Sequence, residues 1–263
     1  MFDIYKEMWT RRRMIHELSI QEIKSEYAGT LLGFIWGLVN PLMRISVFWF
    51  VFSVGARAGV PIDGAPYIVW LAVGMVAWFL INDGFRLSQK TYRSKRSIIK
   101  NTPFPVAVLP AMEILFSYYK HLILLGVILL VLIFSLKSIS FYWIQIIYYD
   151  FAAFMLLIGL GTLTAPIVAI SKDFGRFLDT SLVFLFWMTP IFWSAENLGV
   201  LEKIIKLNPF HYIVQGYRDS ILFNRGFWEY PLYTIYFWMV VIILFVLGNY
   251  VYKKMKPIFL DTL

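Results

Sequence analysis

Long apolar blocks separated by short polar segments run along almost the whole chain. Each block holds about 20 mainly apolar residues, enough for a helix to cross a hydrocarbon core about 30 Å thick. The blocks are continuous rather than alternating, which favours helices over the strands of a membrane barrel. The pattern predicts an all-α membrane protein with six transmembrane helices, at residues 32–55, 67–85, 106–136, 141–170, 177–193 and 231–252. The third block exceeds one membrane thickness, so part of it is expected to project into water.

Residues 1–31, before the first block, have the pattern of an amphipathic helix, although Arg12 and His16 interrupt its apolar side. The apolar side chains that share one sector at helical spacing are Tyr5, Met8, Trp9, Ile20, Ile23 and Tyr27. We expect this helix to lie along the cytoplasmic membrane surface, ahead of a single transmembrane domain at residues 32–263. The alternative is an ordinary cytosolic helix packed on a partner.

Residues 195–230, between the fifth and sixth blocks, are too short and too polar to cross the membrane twice. Asn208 and Pro209 divide them, because Pro cannot continue a helix and the residue before it avoids helical geometry. We predict two short external helices that re-enter the bilayer. The alternative is a loop that lies on the outer surface.

Composition agrees with a membrane protein, since 60% of the 263 residues are hydrophobic and 15% are charged. In a typical soluble domain, about half of the residues are apolar and about a quarter are charged. The net charge of +8 is read as a topology and lipid signal, so no nucleic acid partner is expected. The absence of cysteine and the scatter of three histidines argue against disulfides, a thiol nucleophile and a metal site.

The basic residues orient the helices by the positive-inside rule. Fifteen Lys and Arg fall in the N-terminal segment, the 2–3 and 4–5 loops and the C-terminal tail, and six fall in the opposite loops. Both termini are therefore expected in the cytoplasm.

Two charged residues lie deep within the blocks, where charges are costly and usually face protein or water. Arg44 follows Asn40 and Pro41, and either an anionic headgroup or phosphate or an acid of another span could satisfy it. Asp150 is expected to satisfy a partner rather than relay protons, because no second acid lies near it in its span.

Five more charges lie nearer the ends of the blocks. Asp83 and Arg86 are three residues apart and are expected to pair on one helix face. Glu113 and Lys120 are expected to form a solvated or inter-helix pair, and Asp179 is expected to be solvated.

No catalytic motif is present: the chain lacks a GxxxxGK[ST] phosphate loop, a nucleophile elbow and a cluster of histidines or acids. An ATPase that drove transport would have to be another chain. The absence of a visible inverted repeat argues mildly against a secondary transporter.

Three stretches in order resemble one family. They are GTLLGFIWGLVNPLM (29–43), SKDFGRFLDTSLVFLFWMTPIFWS (171–194) and LNPFHYIVQGYRDSIL (207–222). Together with the six blocks they resemble type-2 ABC exporter permeases for polysaccharides over essentially the whole chain. Within that family the chain looks most like the permeases of wall teichoic acid exporters, with O-antigen and capsule permeases as the alternative.

The resemblance implies a non-catalytic subunit of a bacterial plasma-membrane exporter. It implies a homodimer that works with two copies of a separate ABC ATPase, which holds ATP and Mg²⁺, while this chain holds no cofactor. The implied substrate is a polymer on a polyprenyl pyrophosphate carrier, moved from the inner to the outer leaflet.

The resemblance also implies sites. Spans one and five of such permeases line a channel, which makes pore-lining candidates of Phe48, Trp49, Phe52, Phe184, Trp187 and Phe192. Candidates for the carrier pyrophosphate, chosen by charge, are Arg11, Arg12, Arg13 and Arg44. The basic stretch 91–103 would be the coupling helix that docks on the ATPase, through Tyr92, Arg93, Lys95, Arg96, Ile99 and Lys100, with Phe104 beside it.

Other interpretations stay open at this point. The stretch 91–103 could be a solvated basic loop. The chain could be an exporter of a drug or small lipid, a secondary transporter of lipid or sugar, or a membrane acyl or glycosyl transferase.

Overall fold

The computed structural model describes residues 3–55, 65–136, 139–195 and 199–262. These residues are almost entirely helical. The helices are α1 (Asp3–Thr10), α2 (Arg12–Glu26), α3 (Trp36–Phe50), α4 (Tyr67–Ser94), α5 (Arg96–Asn101), α6 (Leu109–Leu136), α7 (Gln145–Ile170), α8 (Lys172–Met188), α9 (Val200–Lys206), α10 (Pro209–Arg218) and α11 (Pro231–Thr262). One-turn 3₁₀ or π segments flank several of them, including a π turn at Asp219–Phe223 after α10.

Five helical stretches among the described residues are long and apolar enough to cross a membrane. They are Gly33–Val54, Tyr67–Asn101, Val106–Phe134, Phe141–Ile170 and Pro231–Thr262. They match the first four predicted spans and the sixth. The predicted fifth span falls on α8, which has 17 residues and is about 26 Å long. The count of six therefore stays a prediction.

Two helices continue beyond the predicted spans. The second span was predicted to end at residue 85, but α4 ends at Ser94; the sixth was predicted to end at residue 252, but α11 ends at Thr262. Hydropathy marks the end of the apolar block, whereas residues 86–94 contain no Pro or Gly and so continue the helix.

The predicted coupling helix at 91–103 is therefore wrong in its bounds. Residues 91–94 are the last turn of α4, and α5 is a separate short helix. Lys95 separates them, with φ −100° and ψ 19°. Thr102 is extended, and Pro103 and Pro105 follow it before the next helix.

The core of the bundle is built from α4, α6 and α7, with α10 and α11 packed against it. The most apolar stretches of α4 and α7 are 72% and 67% buried. The backbones of α4 and α7 approach closely at Gly161, where a Cβ atom would lie 2.9 Å from the Ser88 hydroxyl oxygen. By contrast, the most apolar stretch of the first span is 6% buried.

The N-terminal segment is two helices rather than one, and its own chain holds it in place. Tyr5 donates to the Phe245 carbonyl in α11 at 2.9 Å, and Ser19 donates to the Met112 carbonyl in α6 at 2.9 Å. Met8, on the predicted membrane-facing sector, is buried, while Trp9 is 72% exposed. Part of the amphipathic sector therefore packs inward, and placement at the membrane surface stays a prediction.

The segment after α8 contains two helices, α9 and α10, divided at Asn208 and Pro209 as expected. The Asn208 side chain accepts from the Phe210 amide at 3.0 Å and donates to Thr189 Oγ1 at 2.9 Å. Because α10 is buried against α4 and α7, it is not a loop lying on a surface. Its placement relative to a bilayer stays a prediction.

Candidate functional site

A short basic surface lies at the end of α4. We call it the α5 face: Arg96, Ser97, Ile98 and Lys100, all exposed. Ile98 keeps 43% of its surface exposed although it is aliphatic. The face therefore combines two cations with one apolar side chain, on a helix that directly continues the most buried helix of the bundle.

Tyr92 does not belong to this face, and its predicted role in docking is wrong. The side chain is fully buried, and its ring stacks on Phe259 of α11 with 4.6 Å between centroids. Ile99 and Phe104 are half-buried and pack against the core. These apolar side chains anchor α5 to the bundle.

Two of the predicted docking cations make contacts within the chain. Lys95 donates to Glu22 of α2 at 2.6 Å, and Arg93 donates through Nε to the Ala169 carbonyl of α7 at 3.3 Å. Lys95 is 18% exposed. Arg96 and Lys100 are therefore the cations that this stretch presents outward.

Ion pairs around the same end of the bundle differ from those expected. Asp179 is not simply solvated: Lys90 donates to it at 2.6 Å, and Arg86 Nε lies 4.0 Å away. Asp83 accepts instead from Asn82 at 2.8 Å, so the expected Asp83–Arg86 pair is wrong.

Glu113 and Lys120 do not pair with each other, but Lys120 does form an inter-helix ion pair, which was one of the two expectations. Lys120 pairs with Glu26 of α2 at 2.9 Å, while Glu113 is buried with 4% of its surface exposed. Asp3 of α1 pairs with Lys253 of α11, and this ammonium lowers the pKa of the Asp3 carboxyl. Ion pairs thus tie the N-terminal helices to α4, α6 and α11.

An aromatic cluster joins α3 to the chain after α8. Phe192 lies 4.6 Å from Phe48 and 5.1 Å from Phe52 between ring centroids, and Phe48 lies 5.7 Å from Phe186. Phe192 is 3% exposed, so its predicted pore-lining role is wrong within this subunit. Phe48 and Phe52 are half-buried beside it.

The other three pore candidates keep exposed surface, although the Trp187 ring also lies 5.3 Å from the Phe192 ring between centroids. Trp49 on α3 is 39% exposed, and Phe184 and Trp187 on α8 are 63% and 50% exposed. These rings can contact lipid, a second subunit or a substrate, whereas the cluster around Phe192 serves packing.

The four arginines proposed for pyrophosphate, Arg11, Arg12, Arg13 and Arg44, are exposed, and three of them have a contact within the chain. Arg11 pairs with Glu7 at 3.5 Å, and Arg12 lies 5.2 Å from the Trp9 ring centroid. Arg44 lies 6.0 Å from the Phe79 ring centroid. No ion pair between Arg44 and an acid is present among the described residues, so an acid partner within the subunit is not seen.

Asp150 satisfies a partner, as expected, but the partners themselves were missed. His121 Nε2 lies 3.1 Å from Asp150 Oδ1 and 2.9 Å from the Tyr217 hydroxyl, which donates to the same carboxylate oxygen. All three side chains are buried. This polar triad joins α6, α7 and α10.

Arg218, counted from sequence among the external charges, is a second missed element. It is 1% exposed, its guanidinium carbon lies 3.4 Å from the Trp70 ring centroid, and it donates to the Pro190 and Ile191 carbonyls at 2.7 and 3.0 Å. Burial lowers the pKa of Arg218 to about 9, so it remains protonated at neutral pH. It ties α10 to the start of α4 and the chain after α8.

Comparison with known proteins gives consistent matches over most of the chain. The family model of ABC-2 type transporters matches residues 15–222. An O-antigen export system permease protein RfbA of Klebsiella pneumoniae is 26% identical over 247 residues, with 92% of each chain covered, and a second one is 25% identical over 249 residues with the same coverage. An RfbA of Myxococcus xanthus is 20% identical over 231 residues, with 86% of each chain covered.

Proposed function

Because this chain belongs to the ABC-2 type transporter family, whose members are membrane transport subunits rather than enzymes, we propose that it is the permease of an ATP-driven polysaccharide exporter. The exporter moves a polymer on a polyprenyl pyrophosphate carrier from the inner to the outer face of a bacterial plasma membrane. Both termini and α5 lie on the cytoplasmic side in this proposal, as the positive-inside rule expects.

The polymer is of the O-antigen kind. The relatives that match over 86–92% of the chain carry the O-antigen name, which supports this alternative. The teichoic acid substrate expected from sequence has no support among them. Exposed aromatic rings on α3 and α8 suit a sugar polymer, because their flat apolar faces can contact sugar rings while the polymer slides.

The α5 face is the observation that carries the proposal of an ABC ATPase partner. A cytoplasmic ATPase must push on something rigid, and α5 directly follows α4, which is 72% buried in its most apolar stretch. Arg96 and Lys100 flank Ile98, so the face suits a groove with acidic rims and an apolar floor.

Transport then follows from differential binding. The ATPase pair closes on ATP, and closure shifts the permease only if the ATPase holds one permease state better than the other. A second copy of the chain packs along α3 and α8, and the path for the polymer opens between the two copies. Trp49, Phe184 and Trp187 face that path.

Charge reversal on the α5 face tests the ATPase partner. Arg96→Glu with Lys100→Glu should abolish co-purification of the ATPase or the stimulation of its ATP hydrolysis by lipid-linked polysaccharide. The matched control is Lys24→Glu with Lys254→Glu, two exposed cations of α2 and α11 whose reversal changes net charge equally. Full stimulation in the α5 variant would contradict docking there.

Cysteine cross-linking tests the second copy, since the chain has no cysteine of its own. Val47→Cys on α3 should form an oxidised dimer in membranes, because Val47 is 55% exposed on the proposed interface. Ile242→Cys on α11, 59% exposed, is the control and should remain monomeric. Cross-linking at Ile242 alone would place the interface on α11 instead.

Substrate choice is tested in proteoliposomes that contain the permease and its ATPase. Lipid-linked O-antigen polysaccharide should raise ATP hydrolysis and appear outside, while lipid-linked teichoic acid should do neither. The reverse result would restore the teichoic acid assignment. Transport in an ion gradient without the ATPase would exclude an ABC mechanism.

A further inference from the structure

A cavity of about 300 Å³ lies at the end of the bundle opposite the α5 face. Its walls come from the start of α4, the chain after α8, α9, α10 and the start of α11. From Trp70, in its wall, to Ser94, α4 rises about 36 Å. The cavity is therefore about one membrane thickness from the proposed ATPase contact.

Aromatic side chains form much of the wall. Trp70, Trp193 and Tyr230 line the cavity, and Tyr230 is 45% exposed. Arg218 covers a face of Trp70. Among the other rings of the wall, Tyr230 is exposed, and Trp193, Phe223 and Tyr233 are partly exposed. Such rings bury a large apolar area and keep a polar edge, so they suit a ligand with both an apolar face and hydroxyl groups.

The wall carries charges of both signs, with the acids Glu202 and Asp219 and the cations Lys206, Arg218 and Arg225. Lys206 donates to Glu202 at 2.7 Å, and Gln215 donates to Asp219 at 3.0 Å. Arg218 uses its donors on backbone carbonyls. The Glu202 and Asp219 carboxylates can accept hydrogen bonds from neutral hydroxyls, and the Gln215 amide can also donate to them.

We propose that this cavity binds one uncharged sugar ring of the exported polymer. The apolar face of the ring lies against Tyr230 and Trp193, and its hydroxyls donate to Glu202 and Asp219. A volume of about 300 Å³ is at the lower end of small-molecule pockets, which suits a single ring rather than a longer segment. That the sugar comes from the exported polymer, and that the cavity lies on the outer side of the membrane, both rest on the proposed function. The affinity of the cavity for a sugar does not depend on that function.

Binding is measured by saturation-transfer NMR on the full chain purified with its ATPase. The probes are methyl α-D-mannopyranoside, methyl β-D-galactopyranoside and methyl α-L-rhamnopyranoside, with inorganic phosphate and glycerol 3-phosphate as anionic probes. We expect saturable binding of at least one glycoside and none of the anions. Binding of the anions alone, or of no probe, would overturn the proposal.

Two pairs of variants locate the binding. Tyr230→Ala and Glu202→Gln should each weaken the glycoside about tenfold, because each removes a stacking surface or an acceptor. Tyr250→Ala on α11 and Lys203→Gln on α9 are exposed controls outside the cavity and should leave the affinity unchanged. Glu202 is a partly exposed residue of a short helix, so its variant tests the site even if Tyr230→Ala fails to fold. Equal affinity in both cavity variants would refute the site.

The two proposals fail differently. Wild-type transport of polysaccharide with no glycoside binding would overturn the cavity site and leave the export function. Glycoside binding at the cavity without ATP-dependent transport would leave the site and overturn export.

Discussion

Replacing Arg218 by lysine should loosen the end of the bundle that holds the cavity. The guanidinium is planar and carries five donors, so it can stack on Trp70 while it donates to the Pro190 and Ile191 carbonyls. A lysine ammonium is a single point with three donors, and it cannot stack. Arg218→Lys therefore keeps the charge but gives up at least one charged hydrogen bond and the ring contact.

The cost follows from those two losses. A hydrogen bond to a charged group contributes about 1.5–3 kcal/mol, and a desolvated cation–π contact about 2 kcal/mol. Counting one lost bond and the lost ring contact, we expect a loss of about 3.5–5 kcal/mol in the free energy of unfolding. For a chain of this size each kcal/mol lowers the melting temperature by roughly 2–4 °C, so the shift is roughly 7–20 °C.

The assay is thermal unfolding of the purified protein, with Arg176→Lys as the control. Arg176 is 80% exposed and pairs with Asp173, so its replacement should change stability by less than about 0.5 kcal/mol. Gly74→Ala is an independent route to the same loss, because a Cβ atom there would collide with the Arg218 guanidinium. The double variant should lose less than the sum of the single variants. An unchanged melting temperature for Arg218→Lys, or strict additivity with Gly74→Ala, would refute this account.

Three further results are expected from thermal unfolding. Gly216→Ala should lower the free energy of unfolding by about 1–3 kcal/mol, because its Cβ would overlap the buried ring of Tyr149. Unchanged stability would mean that α10 and α7 do not approach as closely as the structure shows. Tyr92→Phe should keep both the thermal stability and the stimulation of the ATPase. The Tyr92 hydroxyl is buried with no hydrogen-bond partner among the described residues, and the ring of the variant still stacks on Phe259. Loss of ATPase stimulation would mean that Tyr92 belongs to the docking surface after all. Burial raises the pKa of Asp219 to about 6, above its ordinary value of 3.8, so this carboxyl lowers stability as pH rises from about 4 to about 6, and the loss is complete above that range. Asp219→Asn should therefore stabilise the protein above pH 6 by at most about 3 kcal/mol and give no gain below about pH 4; a gain independent of pH would contradict that cause.

Hydropathy located the helices better than their ends. The apolar blocks predicted five of the helical stretches that can cross a membrane, but the polar continuation of α4 was read as a separate helix. This wrong boundary led to the wrong role for Tyr92. On a separate coupling helix Tyr92 was expected to dock on the ATPase, but on the last turn of α4 its side chain faces Phe259 and the core. Composition marks the membrane boundary, whereas the break at Lys95 has no Pro or Gly beside it and so left no signal in the sequence.

Partners between helices could not be predicted from one sequence. His121 and Asp150 are 29 residues apart, and Arg218 is satisfied by main-chain carbonyls, which leave no trace in residue type. The cost of a buried charge predicted that Asp150 would be satisfied, but not by which side chain. Likewise the spacing of aromatics did not separate Phe192, which packs inside, from Phe184, which is 63% exposed.

The distribution of burial bears on the proposed mechanism. If the ATPase pushes on α5, the force acts on α4, which packs closely against α6, α7 and α10, so we expect these helices to move as one group. The first span is 6% buried in its most apolar stretch, and it contacts the bundle through Phe48 and Phe52 against Phe192 and through one side of α3 against α4 and α6. Sliding α3 against this group disturbs few buried contacts, whereas separating α4 from α7 would expose the core. In the proposed mechanism, α4 carries the displacement from the α5 face to the cavity at its other end, and we propose that the opening forms beside α3.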